Sequence, residues 1–586
     1  MSRMALASGD LPNEVDVLIV GSGFSALCCA VTLKTKGLSP VIIEKSKVWG
    51  GTSARSLGVM WLPGHHLAPS EDTLERAKEY LVAVGGNRID NAGVDMFLRH
   101  SREASTFFEE LGATRSLAPA IQPDYQPELP GAVRSGRTLR PVPFDGAELG
   151  EDFASFGRPI RDNTAFNGLI VDGPEVKDFF HATRRLRSAL KVAALAAKYA
   201  ISRFRFGRDR RLALGAALTA RMGAKARDLK IPIYLNTTLI EFELEGDVCK
   251  RVIVKRNGDR HTIAIRRSAV LASGGFPQNL EMIAKLYPEH AGGKHLSLAP
   301  ASNRGEAIAA ALHNGARIET NQWSPYAFMP VSAVPNRSVQ PRVALNGGLD
   351  RAKPGMIIVD RQGRRFTNEA QDYHRLGRDM AEKCADNGGE CYLVCDREAF
   401  RRHGLGVALP IPGTAWYWER SGYLVRGESL KELAVKLDID AAGLEDTVQR
   451  FNRMAEVGLD EDFGRGRSFY DKYIRSVSEF EFREDVLGPL GAGPYYAIRL
   501  IPGDIGSFAG LMADSVGRVM REDYGVFRNI YAIGNDRASI FGGFYPGPGI
   551  TLGPALVFGY VAAKAIAGEG YRTGSTMPGE VDSSGG

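Results

Sequence analysis

Residues 15–45, VDVLIVGSGFSALCCAVTLKTKGLSPVIIEK, constrain the fold more than any other stretch of the chain. VDVLIV is a continuous, β-branched apolar run, the pattern of a parallel strand buried on both faces. GSGFSA follows, with Gly21, Gly23 and Ala26 fitting G-x-G-x-x-G/A. ALCCAVTLKTKG then has helical character and stops at Gly37, a residue suited to the left-handed position after a helix. A second strand, PVIIEK, carries Glu44 and Lys45. Strand, glycine turn, helix, strand and acid, in order within about 30 residues, describe a unit that binds a dinucleotide. Gly21 permits the tight turn, and Gly23 lets the backbone approach a pyrophosphate. The helix start at Phe24 and Ser25 supplies N–H donors and a positive dipole end, and Glu44 is spaced to bind ribose hydroxyls.

The rest of the composition sets bounds. A chain of 586 residues exceeds one ordinary core, so two or more domains are expected. A 44% hydrophobic and 24% charged content fits a folded globular protein, and 67 glycines fit many close backbone approaches. The net charge of +6 is small for this length and selects no partner class. Six cysteines form no CxxC pair, so neither a zinc site nor a disulfide framework is expected; no metal cluster and no Ser/His/Asp set stands out. The N-terminus lacks a long apolar core of the signal-peptide kind, and no run of about 18 uncharged apolar residues is present. A cytoplasmic location is the expectation.

After Glu44 and Lys45 the chain reads SKVWGGTSARSLGVMWLP. Here Gly50, Gly51, Thr52, Ser53, Ser56 and Gly58 resemble the Gly-Gly-Thr/Ser-x-x-Ser segment that wraps FAD in the flavoproteins related to fumarate reductase and 3-ketosteroid dehydrogenases. Three further segments resemble the same family. Residues 236–275 carry alternating β-rich runs broken at EGD and NGD, an antiparallel meander beginning near Thr238; they close on Ala272, Ser273 and Gly274 of ASGGF, a return toward FAD. NRGEAIAAALHNGARI, opening at Asn303, resembles the family's helix after that return. SVGRVMREDYGVFRNIYAIGN ends a strand at Gly534 and Asn535. The resemblance implies an α/β fold: a Rossmann-like FAD-binding domain of glutathione-reductase type with a β-meander, interrupted by an α+β catalytic cap. The expected parts are 1–300 and 490–575 for FAD, 301–489 for the cap, and a disordered tail at 576–586.

Residues 181–211 hold ten Lys and Arg against one acid, Asp209, a local net of +9. Leu186, Leu190, Ala193, Ala194, Ala197 and Ile201 recur at helical spacing within it. Two readings stand: a basic amphipathic helix lying on an anionic membrane, or a surface helix packing its alanine-rich stripe on the FAD domain. No recognition module accompanies the charge, so nucleic acid is not an expected partner.

In the middle of the chain, NQWSPYAFMPV stands where fumarate-type reducers carry His-Pro-Thr. Trp323, Tyr326 and Phe328 suggest an aromatic pocket for a bulky apolar substrate, with Phe328 in contact. Three tyrosines match 3-ketosteroid dehydrogenases in local context. Tyr125 lies in PDYQPELPGAVRSGRTLRPVPFDG, Tyr373 follows RRFTNEA, and Tyr545 with Gly549 forms YPGPG. The resemblance implies 1,2-desaturation of a 3-ketosteroid, with FAD accepting the hydride at N5 and an external quinone- or dye-like acceptor reoxidising it. Tyr545 O–H and Gly549 N–H would hold the C3 oxygen, as an oxyanion hole does. Tyr373, helped by Tyr125, would take the C2 proton. Thr551 and Leu552 begin a helix whose dipole would face the flavin. Glycine at 549 is expected to keep a side chain out of the substrate's way. The alternatives are desaturation of another cyclic ketone or of the steroid 4,5-bond, and a catalytically silent FAD protein at a membrane.

Overall fold

The computed structural model describes residues 6–7, 9–119, 121–290, 292–335 and 342–569. The expected tail, 576–586, and the end of the 490–575 segment lie outside them. Eight strands form the first sheet. Its centre is Glu14–Val20, paired in parallel with Pro40–Ile43 on one side and Asp259–Leu271 on the other. The central residues Val17, Leu18 and Ile19 are fully buried, as the apolar run demands. Phe24–Thr35 is the helix between the first two strands, and Gly37 follows it at φ +82°.

Strand Asp259–Leu271 is long enough to serve two partners on the edge away from Glu14–Val20. Its first half runs antiparallel to Val248–Arg256, which pairs in turn with Thr237–Glu245, giving the expected meander. Its second half pairs in parallel with Val526–Ala532, so the returning chain enters the same sheet. Asn257 at φ +52° and Gly246 at φ +63° make the two turns.

A seven-stranded second sheet runs Arg342–Leu345, Tyr326–Val334, Tyr495–Ser507, Cys391–Cys395 and Met356–Val359, with two short strands beside the third. Its central strand, Tyr495–Ser507, lies beyond the expected 301–489 segment. The chain therefore crosses the second sheet once more before returning to the first. The RRFTNEA segment braces this region. Arg365 donates to Glu369 at 2.7 and 2.8 Å and to Asp460 at 2.9 Å, and Arg465 packs against Glu369 from the other side. All four side chains are nearly excluded from solvent, an arrangement that holds because each charge is paired.

The basic segment forms the helix Leu186–Phe206. Ser188 and Tyr199 are its buried residues, and Ser188 donates to Asp178 on the preceding helix at 2.8 Å. The apolar stripe faces the other way: Leu186 is 77% exposed and Phe204 93%. The expectation that this stripe packs on the FAD domain is corrected, because the small polar and aromatic face fills that role. No helix among the described residues is long and apolar enough to cross a membrane.

Candidate active site

One cavity of about 1600 Å³ runs from the glycine turn to the tyrosines and on to the surface. At its first end the residues fit FAD. Gly21 has φ +105°, and a Cβ there would lie 2.4 Å from the Ala272 carbonyl oxygen, so no side chain is tolerated. A Cβ on Gly23 would meet only Ser53 Oγ, at 3.6 Å, which leaves this backbone bare to the cavity. The helix it starts has no side-chain cap. Ser53 Oγ accepts the Phe24 N–H at 3.1 Å, tying the Gly-Gly wrap to the helix start. Glu44 accepts from Ser22 Oγ at 2.6 Å and Ser46 N–H at 2.7 Å, which fixes its carboxylate at the strand end.

Gly21, Gly23, Ser25, Glu44, Lys45, Gly51, Thr52, Ser53, Ser56, Gly58, Thr238, Ala272, Ser273, Gly274, Asn303, Gly534, Asn535, Thr551 and Leu552 all line the cavity. Phe24 and Ala26 do not; both are fully buried in the core beneath the turn. Lys45 is engaged with Glu306 and with the Ser302 carbonyl, and Asn303 donates to Thr52 Oγ1 at 3.1 Å. One residue of this end escaped sequence reasoning. Asp536 is fully buried and accepts from Ser273 N–H at 2.6 Å, from Ser273 Oγ and from Gly275 N–H at 2.8 Å. It joins the two returning segments, and its place directly after Gly534-Asn535 was the available signal.

Tyr125, Tyr373 and Tyr545 come together from three distant segments. Ring centroids are 5.4 Å apart for Tyr125–Tyr373, 5.3 Å for Tyr125–Tyr545 and 5.2 Å for Tyr373–Tyr545. Tyr125 and Tyr545 lie with their rings nearly parallel, and Tyr373 stands edge-on to both. Burial pushes the Tyr545 phenol up to about 12. Burial and then Tyr545 push Tyr373 well above its ordinary value, while neighbouring Tyr125 opposes that rise.

Local elements fix each phenol. Tyr373 is the first residue of helix Tyr373–Lys383, whose N-cap, Asp372, accepts from the His374 and Arg375 N–H groups. His374 is buried; its Nδ1 accepts from Phe328 N–H at 3.1 Å, so Nε2 carries the proton and donates to the Gly543 carbonyl at 3.1 Å. Desolvation drives its pKa down to about 3, keeping the ring neutral for this role. The Pro546 carbonyl accepts from Tyr80 O–H at 2.6 Å and Tyr125 N–H at 2.9 Å, locking the YPGPG turn to the Tyr125 loop. Behind that loop Arg137 donates to Asp124 at 2.7 Å and Asp72 at 2.6 Å, all three buried.

Two expectations are corrected. Phe328 is 1% exposed and does not line the cavity; its strand neighbour Met329 does, because alternate strand residues point to opposite faces. Trp323 and Tyr326 are likewise packing residues. Trp323 stacks on Phe544 at 4.7 Å and Tyr326 on His295 at 4.1 Å. At Gly549, φ is +97° and a Cβ would lie 2.3 Å from the Val59 carbonyl oxygen. The glycine is required by the chain's own backbone rather than by room for a ligand. The apolar lining comes instead from residues such as Tyr470, Tyr473, Ile474, Val477, Leu409 and Ile411. Tyr470 packs 5.0 Å from Tyr125.

A Rossmann-type first sheet, a bare glycine turn and a deep cavity lined by phenols define a dinucleotide-dependent oxidoreductase. The family described as "FAD binding domain" matches residues 16–552. The chain belongs to that family, and FAD is its cofactor. It is 34% identical over 560 residues to the 4-oxocyclohex-2-ene-1-carboxylate 5-dehydrogenase of Sinomonas cyclohexanicum, covering 94% of this chain and 93% of that one. It is 31% identical over 579 residues to the 3-oxosteroid 1-dehydrogenase of Mycolicibacterium smegmatis, covering 95% and 97%. Its fold matches the crystal structure of 3-ketosteroid delta1-dehydrogenase from Sterolibacterium denitrificans in complex with 1,4-androstadiene-3,17-dione. The TM-score is 0.85 at 30% identity, over 95% of this chain and all of that one.

Proposed function

We propose that this protein is an FAD-dependent dehydrogenase that introduces the 1,2 double bond into 3-ketosteroids. The observation that carries this is the cluster of Tyr125, Tyr373 and Tyr545, brought together from three distant segments and lining one cavity with Gly549 and the FAD cradle. Tyr545 O–H and Gly549 N–H, four residues apart on one turn that lines the cavity, together hold the substrate's C3 oxygen, where enolate charge develops. Tyr373 takes the C2 proton, and Tyr125, packed edge-to-face against it, stabilises its basic form. When bound, FAD supplies the acceptor for the hydride that leaves C1. The cradle residues from Gly21 to Leu552 hold the cofactor, and an external quinone-like acceptor completes the cycle. The FAD-binding domain of glutathione-reductase type is drawn from both ends of the chain, with the second sheet as its cap.

The wall of Tyr473, Ile474, Val477, Leu409 and Ile411 fits a fused-ring apolar ketone better than a small ring acid. A second reading rests on the relative from Sinomonas cyclohexanicum: desaturation of 4-oxocyclohex-2-ene-1-carboxylate at the carbon beside its carbonyl. Dye reduction by the FAD-loaded protein with 4-androstene-3,17-dione or with 4-oxocyclohex-2-ene-1-carboxylate separates them. Loss of two hydrogens at C1/C2 of the steroid is the expected product by mass spectrometry. Turnover of the small acid alone would replace the first reading with the second, and hydrogen loss at C4/C5 of the saturated ketone 5α-androstane-3,17-dione, with none at C1/C2, would move the reaction to the neighbouring bond.

A further inference from the structure

Helix Leu186–Phe206 is divided lengthwise into three faces. Its inner face packs on the protein through Ser188 and Tyr199, and Val192 on that side walls the cavity. Its outer face is an apolar strip at three- and four-residue spacing, with Leu190 63%, Ile201 59% and Phe204 93% exposed and Ala193, Ala194 and Ala197 exposed between them. Along one edge of that strip stand Arg187, Lys198 and Arg205, which have no ion-pair partner among the described residues. The helix contains no acid. Folding does not explain an apolar strip of this length held in water.

We propose that this strip docks the protein on the surface of an anionic lipid bilayer, apolar side chains entering the interface and the basic edge meeting the headgroups. The chemistry favours lipid over a second copy of this chain. Two copies joined through the strip would bring unpaired cations together on a helix that offers no acid to neutralise them. The cavity opens beside the same element. Phe166 lines the cavity, is 54% exposed, and its carbonyl accepts from Tyr199 O–H of this helix at 3.2 Å. Resting on the proposed steroid substrate, the docked protein takes its apolar ketone from the lipid surface rather than from water.

The test is flotation of the FAD-loaded full chain with vesicles of phosphatidylcholine alone or with phosphatidylglycerol added. Wild-type protein is expected to float with the anionic vesicles and to be largely released at about 0.5 M salt. Leu190→Asp combined with Phe204→Asp abolishes flotation. Arg187→Gln, Lys198→Gln and Arg205→Gln together weaken partition by a factor on the order of 10². All five positions are solvent-facing, so FAD content and dye reduction with dissolved substrate stay at wild-type values. Three results overturn the proposal: no flotation of wild type with anionic vesicles, equal flotation of both variants, or a wild-type dimer that sediments as a monomer once the two aspartates are present. Flotation needs no turnover, so its failure is distinct from failure of the steroid reading.

Discussion

The three phenols carry the chemistry, and their burial sets its difficulty. A phenol ionises near 10 in water, and here desolvation moves Tyr545 to about 12 and Tyr373 upward as well. Tyr545 as an O–H donor gains from this, since it stays protonated at every ordinary pH. Tyr545→Phe is expected to cut kcat by about 10²–10³ while FAD remains bound, as for loss of one oxyanion donor. Near-normal turnover would remove it from that role. Tyr373 as a base works against its burial, and its neighbour Tyr125 offsets part of that rise. Tyr373→Phe should therefore abolish turnover without changing the flavin spectrum. Stability carries the same signature. The folded chain keeps the Tyr545 proton where the unfolded chain releases it. That contribution is complete below about pH 10 and is lost as pH climbs through about 12. Melting temperatures of wild type should fall over that window more steeply than those of Tyr545→Phe; equal slopes would show that this phenol is not held protonated.

At the scale of elements, the site is a docking of loops onto rigid supports. The YPGPG turn is held from three sides. Pro546 is held by Tyr80 and Tyr125, Gly543 by His374, and the Gly549 carbonyl by Trp61 N–H at 3.1 Å. Tyr80 lies on helix Leu74–Gly85 and touches no cavity atom, so it acts by positioning. Tyr80→Phe removes one of two donors to a buried carbonyl and the acceptor for Gln126 N–H. Stability should drop by about 1–3 kcal/mol. Because Tyr125 and Tyr545 lose their shared anchor, kcat should fall more than KM changes, a split that a purely structural residue would not give. Much of this was legible in the chain. The βαβ unit reads from 31 consecutive residues because strand, turn and helix are set by local sterics. Tyr545 and Gly549 stand in one short turn, four residues apart. The cavity wall was not legible in the same way. Tyr470, Tyr473, Ile474 and Val477 have clear helical spacing, but spacing alone cannot say whether a stripe faces core or cavity. The aromatic NQWSPYAFMPV run misled for the converse reason. Its rings back the turn from behind, where Trp323 meets Phe544.

At the scale of the whole molecule, the FAD cradle is built from chain passes hundreds of residues apart, so cofactor and fold should stabilise each other. Gly21 presses on Ala272, Ser53 on Phe24, Asn303 on Thr52, and Asp536 clasps Ser273 and Gly275. A ligand that binds only the folded chain adds about 2.7 kcal/mol at a hundredfold excess over Kd. Removing FAD should accordingly lower the melting temperature, and adding it back should restore it. Asp536→Ala tests whether the clasp belongs to the cofactor site or to the fold at large. It leaves two backbone N–H groups and one hydroxyl without their acceptor, each worth about 1–3 kcal/mol when buried. If the clasp served the fold alone, the cofactor-free and FAD-loaded proteins would lose equal stability. Because it fixes the two segments that close over the dinucleotide, the FAD-loaded form is expected to lose more, and FAD titration should give a Kd raised by at least about tenfold. Equal losses in both forms, with an unchanged Kd, would assign Asp536 to the sheet junction rather than to the cofactor.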